Sequence, residues 1–297
     1  MLKYRTGITM KKEITLFLQH LSDRKGCSSN TLAAYNNDLN QLASFVQSRI
    51  RDGKTASGWS NLDKYALAQY MLSLKQKRYA PATVARKIAT AKSFMTCMVD
   101  MGRLSCNPAE DLASPRVNKH VPKTLSIAQL HVLLHAPTQE KSLEAKRDQA
   151  MLELLYATGM RVSQLVALNI ADVNCEECSI VCISRPSSIR CIIIEPRVIG
   201  LVEIYINDCR PRFTRNDDPA LFLNQRGERL TRQGFWLILK GYAEKTGLGS
   251  SVTPHTLRHS FAVHKLKTGT DLHSVQQMLG HAHILSTKVY QQVQQTV

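Results

Sequence analysis

Apolar residues recur three and four positions apart along almost the whole chain, and one stretch alone breaks that rhythm. Ile14, Phe17, Leu18 and Leu21 form one stripe, and Leu32, Tyr35, Leu39, Leu42 and Phe45 form a second. Between them "CSSNTLAAY" marks a boundary, because the side chains of Ser28, Ser29 and Asn30 can cap a helix N-terminus. "RDGKTASGWS" reads as a loop. Two more helical patterns run from Leu62 to about Lys77 and from Pro81 to about Met101, with Pro81 suited to a first turn and Gly102 to a stop. The amino-terminal part is expected to be a four-helix bundle.

The break in rhythm comes later. "SIVCIS" and "IRCIIIEP" are β-branched runs separated by a Pro-Ser turn, so Ser179 to Pro196 predicts a hairpin. Helices surround it. "RDQAMLELLYATGM" predicts a helix ending near Gly159, and "RVSQLVAL" starts another with Val162, Leu165 and Val166 as its buried stripe. Further helices are expected at roughly Val198–Asn207, Thr231–Thr246, Thr256–Lys267, Asp271–Leu279 and near Thr287. The fold class is mainly α, with a second, mixed α+β domain carrying a small β-hairpin sheet. "SPRVNKHVPKT" has two prolines, three basic side chains and little periodicity, which suits an exposed linker. The expected boundaries are 1–113 for the first domain, 114–126 for the linker and 127–297 for the second.

Charge narrows the partner. Lys and Arg number 39 against 23 Asp and Glu. Residues up to Val117 carry eighteen of the former and eight of the latter, so the excess is concentrated in the smaller domain and points to a polyanion, above all nucleic acid. No apolar run approaches the length that spans a bilayer, and "MLKYRTGITMKKE" lacks the apolar core of a signal peptide; a cytoplasmic location is expected. Eight scattered cysteines in a chain of this length read as reduced thiols rather than a disulfide framework.

"TPHTLRHSFAVH" concentrates the chemistry. His255 and His259 are four apart, a spacing that can hold zinc, while His255 and Arg258 are three apart, a spacing that lets both reach one phosphate. Thr256 stands where a zinc hydrolase needs glutamate, and no third ligand is near, which speaks against a metal. In "CEECSIVC", Cys175, Cys178 and Cys182, with Cys191 on the facing strand, read as packing residues rather than a zinc site. Arg161 follows the Gly159 break in the first turn of a helix, where unpaired N–H groups also favour an anion. "LGHAH" ends a helix at Gly280 and exposes His281, and nine residues later comes Tyr290.

In order and spacing these boxes resemble the tyrosine recombinases, specifically the Xer type. "ATGMRVSQLVAL" is similar to the family's first arginine box, "HTLRHSFAVH" to its H-x-x-R box, "LGH" to the next histidine box and "STKVYQQV" to the segment with the nucleophile. "SSNTLAAYNNDLNQLASFV" and "APATVARKIATAKSFM" resemble the helical, SAM-like core-binding domain that clamps DNA opposite the catalytic domain. The resemblance implies site-specific recombination of double-stranded DNA in a homo- or hetero-tetramer on two sites, at the nucleoid, without cofactor or metal. It implies that Tyr290 attacks a phosphodiester to form a 3′-phosphotyrosyl bond, and that Arg161 and Arg258 hold the non-bridging oxygens. His255 would serve in proton transfer at the nucleophile and His281 would hydrogen-bond the phosphate.

Three departures stand beside it. The family's hairpin lysine, which protonates the leaving oxygen, falls at Arg185, and no lysine occurs between Arg147 and Leu239. Gln164 replaces a common glutamate, and seven residues follow Tyr290 where Xer proteins usually continue into a helix that docks on the next subunit. The alternatives are a catalytically weak or inactive relative that binds DNA architecturally, and a type IB topoisomerase, which shares the nucleophile but needs no paired sites.

Overall fold

The structure, a computed structural model, describes residues 2–51, 58–59, 62–115, 122–185 and 188–294. The chain divides into two compact units, Met1–Lys119 and His120–Val297. Part of the "RDGKTASGWS" loop, residues 116–121 of the expected linker and the Pro186-Ser187 turn lie outside the described residues.

The first unit contains helices α1 (Leu2–Lys25), α2 (Ser29–Arg51), α3 (Lys64–Gln76) and α4 (Pro81–Asp100). The expected stripes close its core: Ile14, Phe17 and Leu21 of α1 and Leu39 and Leu42 of α2 are buried, while Leu18, Leu32, Tyr35 and Phe45 pack at its margin. Phe94 of α4 takes the Phe17 ring edge-on at 5.4 Å and the Trp59 ring at 4.9 Å. Burying each such side chain contributes about 1.5–3 kcal/mol. Asp63 caps α3 through the Ala66 N–H, Pro81 opens α4, and Gly102 with φ of 67° follows its end. One feature escapes apolar periodicity. Asp38 is buried between α2 and α4, where it accepts from Lys87 at 2.8 Å, from Thr90 at 3.2 Å and from Arg86. Lys87 is itself buried, so part of this unit's basic excess is neutralised inside it rather than offered to a polyanion.

In the second unit α5 (Ile127–His135) is followed by α6 (Leu143–Thr158), the single-turn α7 (Val162–Leu165) and a three-stranded antiparallel sheet. Its strands are β1 (Val173–Asn174), β2 (Ser179–Arg185) and β3 (Ser188–Ile193), in that spatial order. The remaining helices are α8 (Pro196–Ile204), α9 (Arg210–Phe213), α10 (Arg232–Lys245), α11 (Pro254–Lys267), α12 (Leu272–Leu279) and α13 (Leu285–Gln294). Where one helix was expected over Val198–Asn207, α8 runs through a π turn at Tyr205–Cys209 into α9, because Tyr205 and Cys209 stay buried and keep the chain coiled. The short β1 was also not anticipated; two residues carry no readable alternation.

Helix α6 is the centre of this unit. Ala150, Met151, Leu152, Leu154 and Leu155 are fully buried, and even Glu153 is, paired with both terminal nitrogens of Arg197 at 2.9 and 2.8 Å. The sheet has one inner and one outer face. Ile180 and Cys182 point inward on β2, while Val181 and Ile183, with Ile189, Cys191 and Ile193 of β3, are exposed. Cys182 and Cys191 therefore lie on opposite faces and do not converge on one ion. All eight cysteines are free thiols, and no described helix is long and apolar enough to cross a membrane.

Candidate active site

Chain reversals at Gly159 and Gly280 help bring the chemistry-bearing residues together. Gly159 ends α6 in the left-handed conformation, φ 58°, and a Cβ there would lie 2.4 Å from the Phe261 ring of α11. Only glycine meets both conditions. The turn delivers Arg161 in extended backbone at the start of α7, where its N–H donates to Gln164 Oε1 at 2.9 Å. The same amide donates from Nε2 to the Ile183 carbonyl at 3.2 Å, so the arginine turn is tied to β2.

Arg258 lies inside α11's contact with these turns and is 4% exposed. Nη1 donates to the Gly159 carbonyl and Nη2 to the Leu279 carbonyl at 2.6 Å, which clips the end of α6 to the end of α12. Each terminal nitrogen keeps a second hydrogen for another acceptor. Among the described residues no carboxylate pairs with this guanidinium. Burial, then the charges of Arg161 and Arg190, bring its pKa down to about 10, and it remains a cation at neutral pH.

Gly280, φ 63°, closes α12 and turns the chain so that His281 follows at once. Nδ1 of His281 meets the Thr287 hydroxyl at 3.0 Å, and Thr287 is wholly buried. Burial first, then Arg258 and Arg161, lower the His281 pKa to about 4, so the ring is neutral. When the hydroxyl donates to Nδ1, the ring proton sits on Nε2 and makes that nitrogen a donor.

Tyr290 of α13 is 3% exposed, and its hydroxyl shares a 2.9 Å hydrogen bond with Nδ1 of His259. Its ring stacks 6.4 Å from that of His281. Burial raises the phenol pKa, and the nearby charges of Arg258 and Arg161 oppose that rise. His259 is lowered to about 4 by burial and by His255 and Arg258. His255 is exposed one turn earlier, its ring 6.2 Å from that of His259.

Arg161, Arg258, His281 and Tyr290 thus share one electrostatic neighbourhood, and His255 reaches it through His259. Arg185 closes β2 opposite Ser188, and its side chain lies outside the described residues. Three contributors were not singled out from sequence for these contacts. His259, noted in the sequence only for its zinc-like spacing from His255, holds the Tyr290 hydroxyl directly. Thr287 orients His281, and Arg190 of β3 donates to α12. Of these, His259 left a signal in its spacing from His255, and Arg190 as a charged residue at an inward position of β3.

The sequence matches the phage integrase family over residues 123–296 and the N-terminal SAM-like domain of phage integrases over residues 14–102. It is 46% identical over 285 residues to tyrosine recombinase XerC of Herpetosiphon aurantiacus, covering 96% of this chain and 91% of that one. It is 38% identical over 281 residues to tyrosine recombinase XerD of Listeria innocua, covering 93% and 92%. Among solved structures, XerH site-specific recombinase bound to a palindromic difH substrate has the same fold, with a TM-score of 0.76 at 18% identity over 99% of this chain and 94% of that one. XerA recombinase aligns with a TM-score of 0.52 at 25% identity over 94% and 93%. The chain belongs to the phage integrase family and is a tyrosine recombinase of the Xer type.

Proposed function

We propose that this protein cuts and rejoins strands of two paired DNA duplexes at a specific site through a covalent 3′-phosphotyrosyl intermediate. The observation that carries this reading is Arg258, a buried guanidinium with no carboxylate partner among the described residues, beside a buried tyrosine. An uncompensated buried cation is costly, and a phosphodiester supplies the missing charge. Tyr290 Oη forms a bond to phosphorus while the bond to the 5′-oxygen breaks. Arg161 and Arg258 meet the non-bridging oxygens, where negative charge grows. His281 donates from Nε2 to the same phosphate. The phenol proton leaves toward His255 by way of His259, and the 5′-oxygen takes one up from solvent. The 5′-hydroxyl of the other duplex then attacks the phosphotyrosine, and Tyr290 recovers its proton.

At the leaving oxygen Arg185 replaces the family's lysine; a guanidinium stabilises charge there but holds its protons too tightly to be a good proton donor. That substitution favours the second reading, a DNA-binding relative with little or no cleavage. Two sites and four active centres require a homo- or hetero-tetramer on DNA, and a chromosomal substrate carries a cytoplasmic, nucleoid-associated location with it. The test is a suicide duplex nicked beside the cleavage site. A denaturation-stable protein–DNA adduct, absent in Tyr290→Phe, supports recombination. Binding by the intact protein without any adduct supports the architectural role.

A further inference from the structure

Arg190 occupies an inward position of β3 opposite Cys182 of β2. Its Nη1 donates to two carbonyls in the last turn of α12, Gln277 at 2.9 Å and Met278 at 2.6 Å, and Nη2 lies 3.6 Å from Cys182 Sγ. The next carbonyl, Leu279, is held by Arg258. Three consecutive carbonyls are therefore gripped by two arginines from separate elements. The helix end does not need this for closure, since Gly280 donates to Gln277 at 3.0 Å and His281 to Gln276 at 3.1 Å. Arg190 Nε is buried without a hydrogen-bond partner, a state that costs about 1–3 kcal/mol and that an apolar side chain would avoid.

We propose that Arg190 is a positioning residue for strand cleavage: it ties β3 to the last turn of α12 and so holds His281, and the hairpin end where Arg185 stands, in one fixed relation to Arg258. The residue acts through His281. Its charge reinforces the arrangement, because after burial, Arg258, Arg161 and His259 it is a further cause of the lowered His281 pKa. The proposal rests on the cleavage reaction above.

The test compares Arg190→Met, which removes every one of these bonds, with Arg190→Lys, which keeps the charge but cannot straddle two carbonyls and a thiol. Single-turnover adduct formation at saturating protein, DNA affinity, and hydrogen exchange of residues 276–283 without DNA are measured in the full chain. Arg190→Met is expected to cleave roughly 10–100-fold more slowly with unchanged DNA affinity and faster exchange in that segment, as a misplaced catalytic group would produce, and Arg190→Lys to recover part of the rate. Full cleavage in Arg190→Met overturns the proposal. So does unfolding of both variants, or a rate loss matched by lost DNA affinity, since each marks a purely structural role. If the unaltered protein forms no adduct, the recombination reading fails separately, and unchanged exchange over 276–283 in Arg190→Met still overturns the tie.

Discussion

Nδ1 of His259 lies 2.9 Å from the Tyr290 hydroxyl; the tyrosine is buried and the histidine half-buried. The imidazole is neutral, so in the tautomer with its proton on Nε2 the phenol donates to it. This contact docks α13 on α11 and places the Tyr290 ring between those of His259 and His281.

Acid should loosen that arrangement. His259 and His281 are both lowered to about 4 from an ordinary 6.5, so the unfolded chain binds protons that the folded one refuses between those values. Stability is then lost as pH falls from about 6.5 toward 4 and levels off below. Thermal unfolding across this range is expected to show a falling midpoint, and the double variant His259→Gln with His281→Gln to flatten it. A midpoint rising toward pH 4 would contradict the neutral rings.

Arg258→Lys keeps a cation but cannot donate to Gly159 and Leu279 at once. Cleavage should fall by a factor of about 100 or more, the scale of losing one donor to a developing oxyanion. Thermal stability should fall as well, because two buried carbonyls lose their shared partner. Adduct assays beside calorimetry check both, and a fully active variant would remove Arg258 from the phosphate.

Gly159→Ala combines a left-handed backbone with a Cβ 2.4 Å from the Phe261 ring. The conformation costs about 1–2 kcal/mol and overpacking about 1–3 kcal/mol more. Urea unfolding should show the combined loss. Phe261→Leu added to Gly159→Ala should return the packing part and leave the backbone part.

Arg185→Lys restores the residue type that the family uses at the leaving oxygen. If proton donation limits cleavage, the single-turnover rate should rise about tenfold or more, within the usual range for general acid catalysis. An unchanged rate would show that the proton comes from elsewhere.

Much of this was legible in the chain before folding. Stripes such as Ile14, Phe17 and Leu21, caps such as Ser28, and stops such as Gly159 and Gly280 act within one or two helical turns, so spacing alone reveals them. The order of Arg161, His255, Arg258, His281 and Tyr290 was equally open, as was the hairpin that interrupts the helices. What tertiary structure decided was which polar atoms meet. Asp38 with Lys87, Arg258 with Gly159 and Leu279, His259 with Tyr290, and Arg190 with Gln277 and Met278 all join residues from separate elements. No periodicity encodes such pairs, because a buried hydrogen-bonding group takes whichever partner packing brings within 3 Å, and that choice is made only when the helices close.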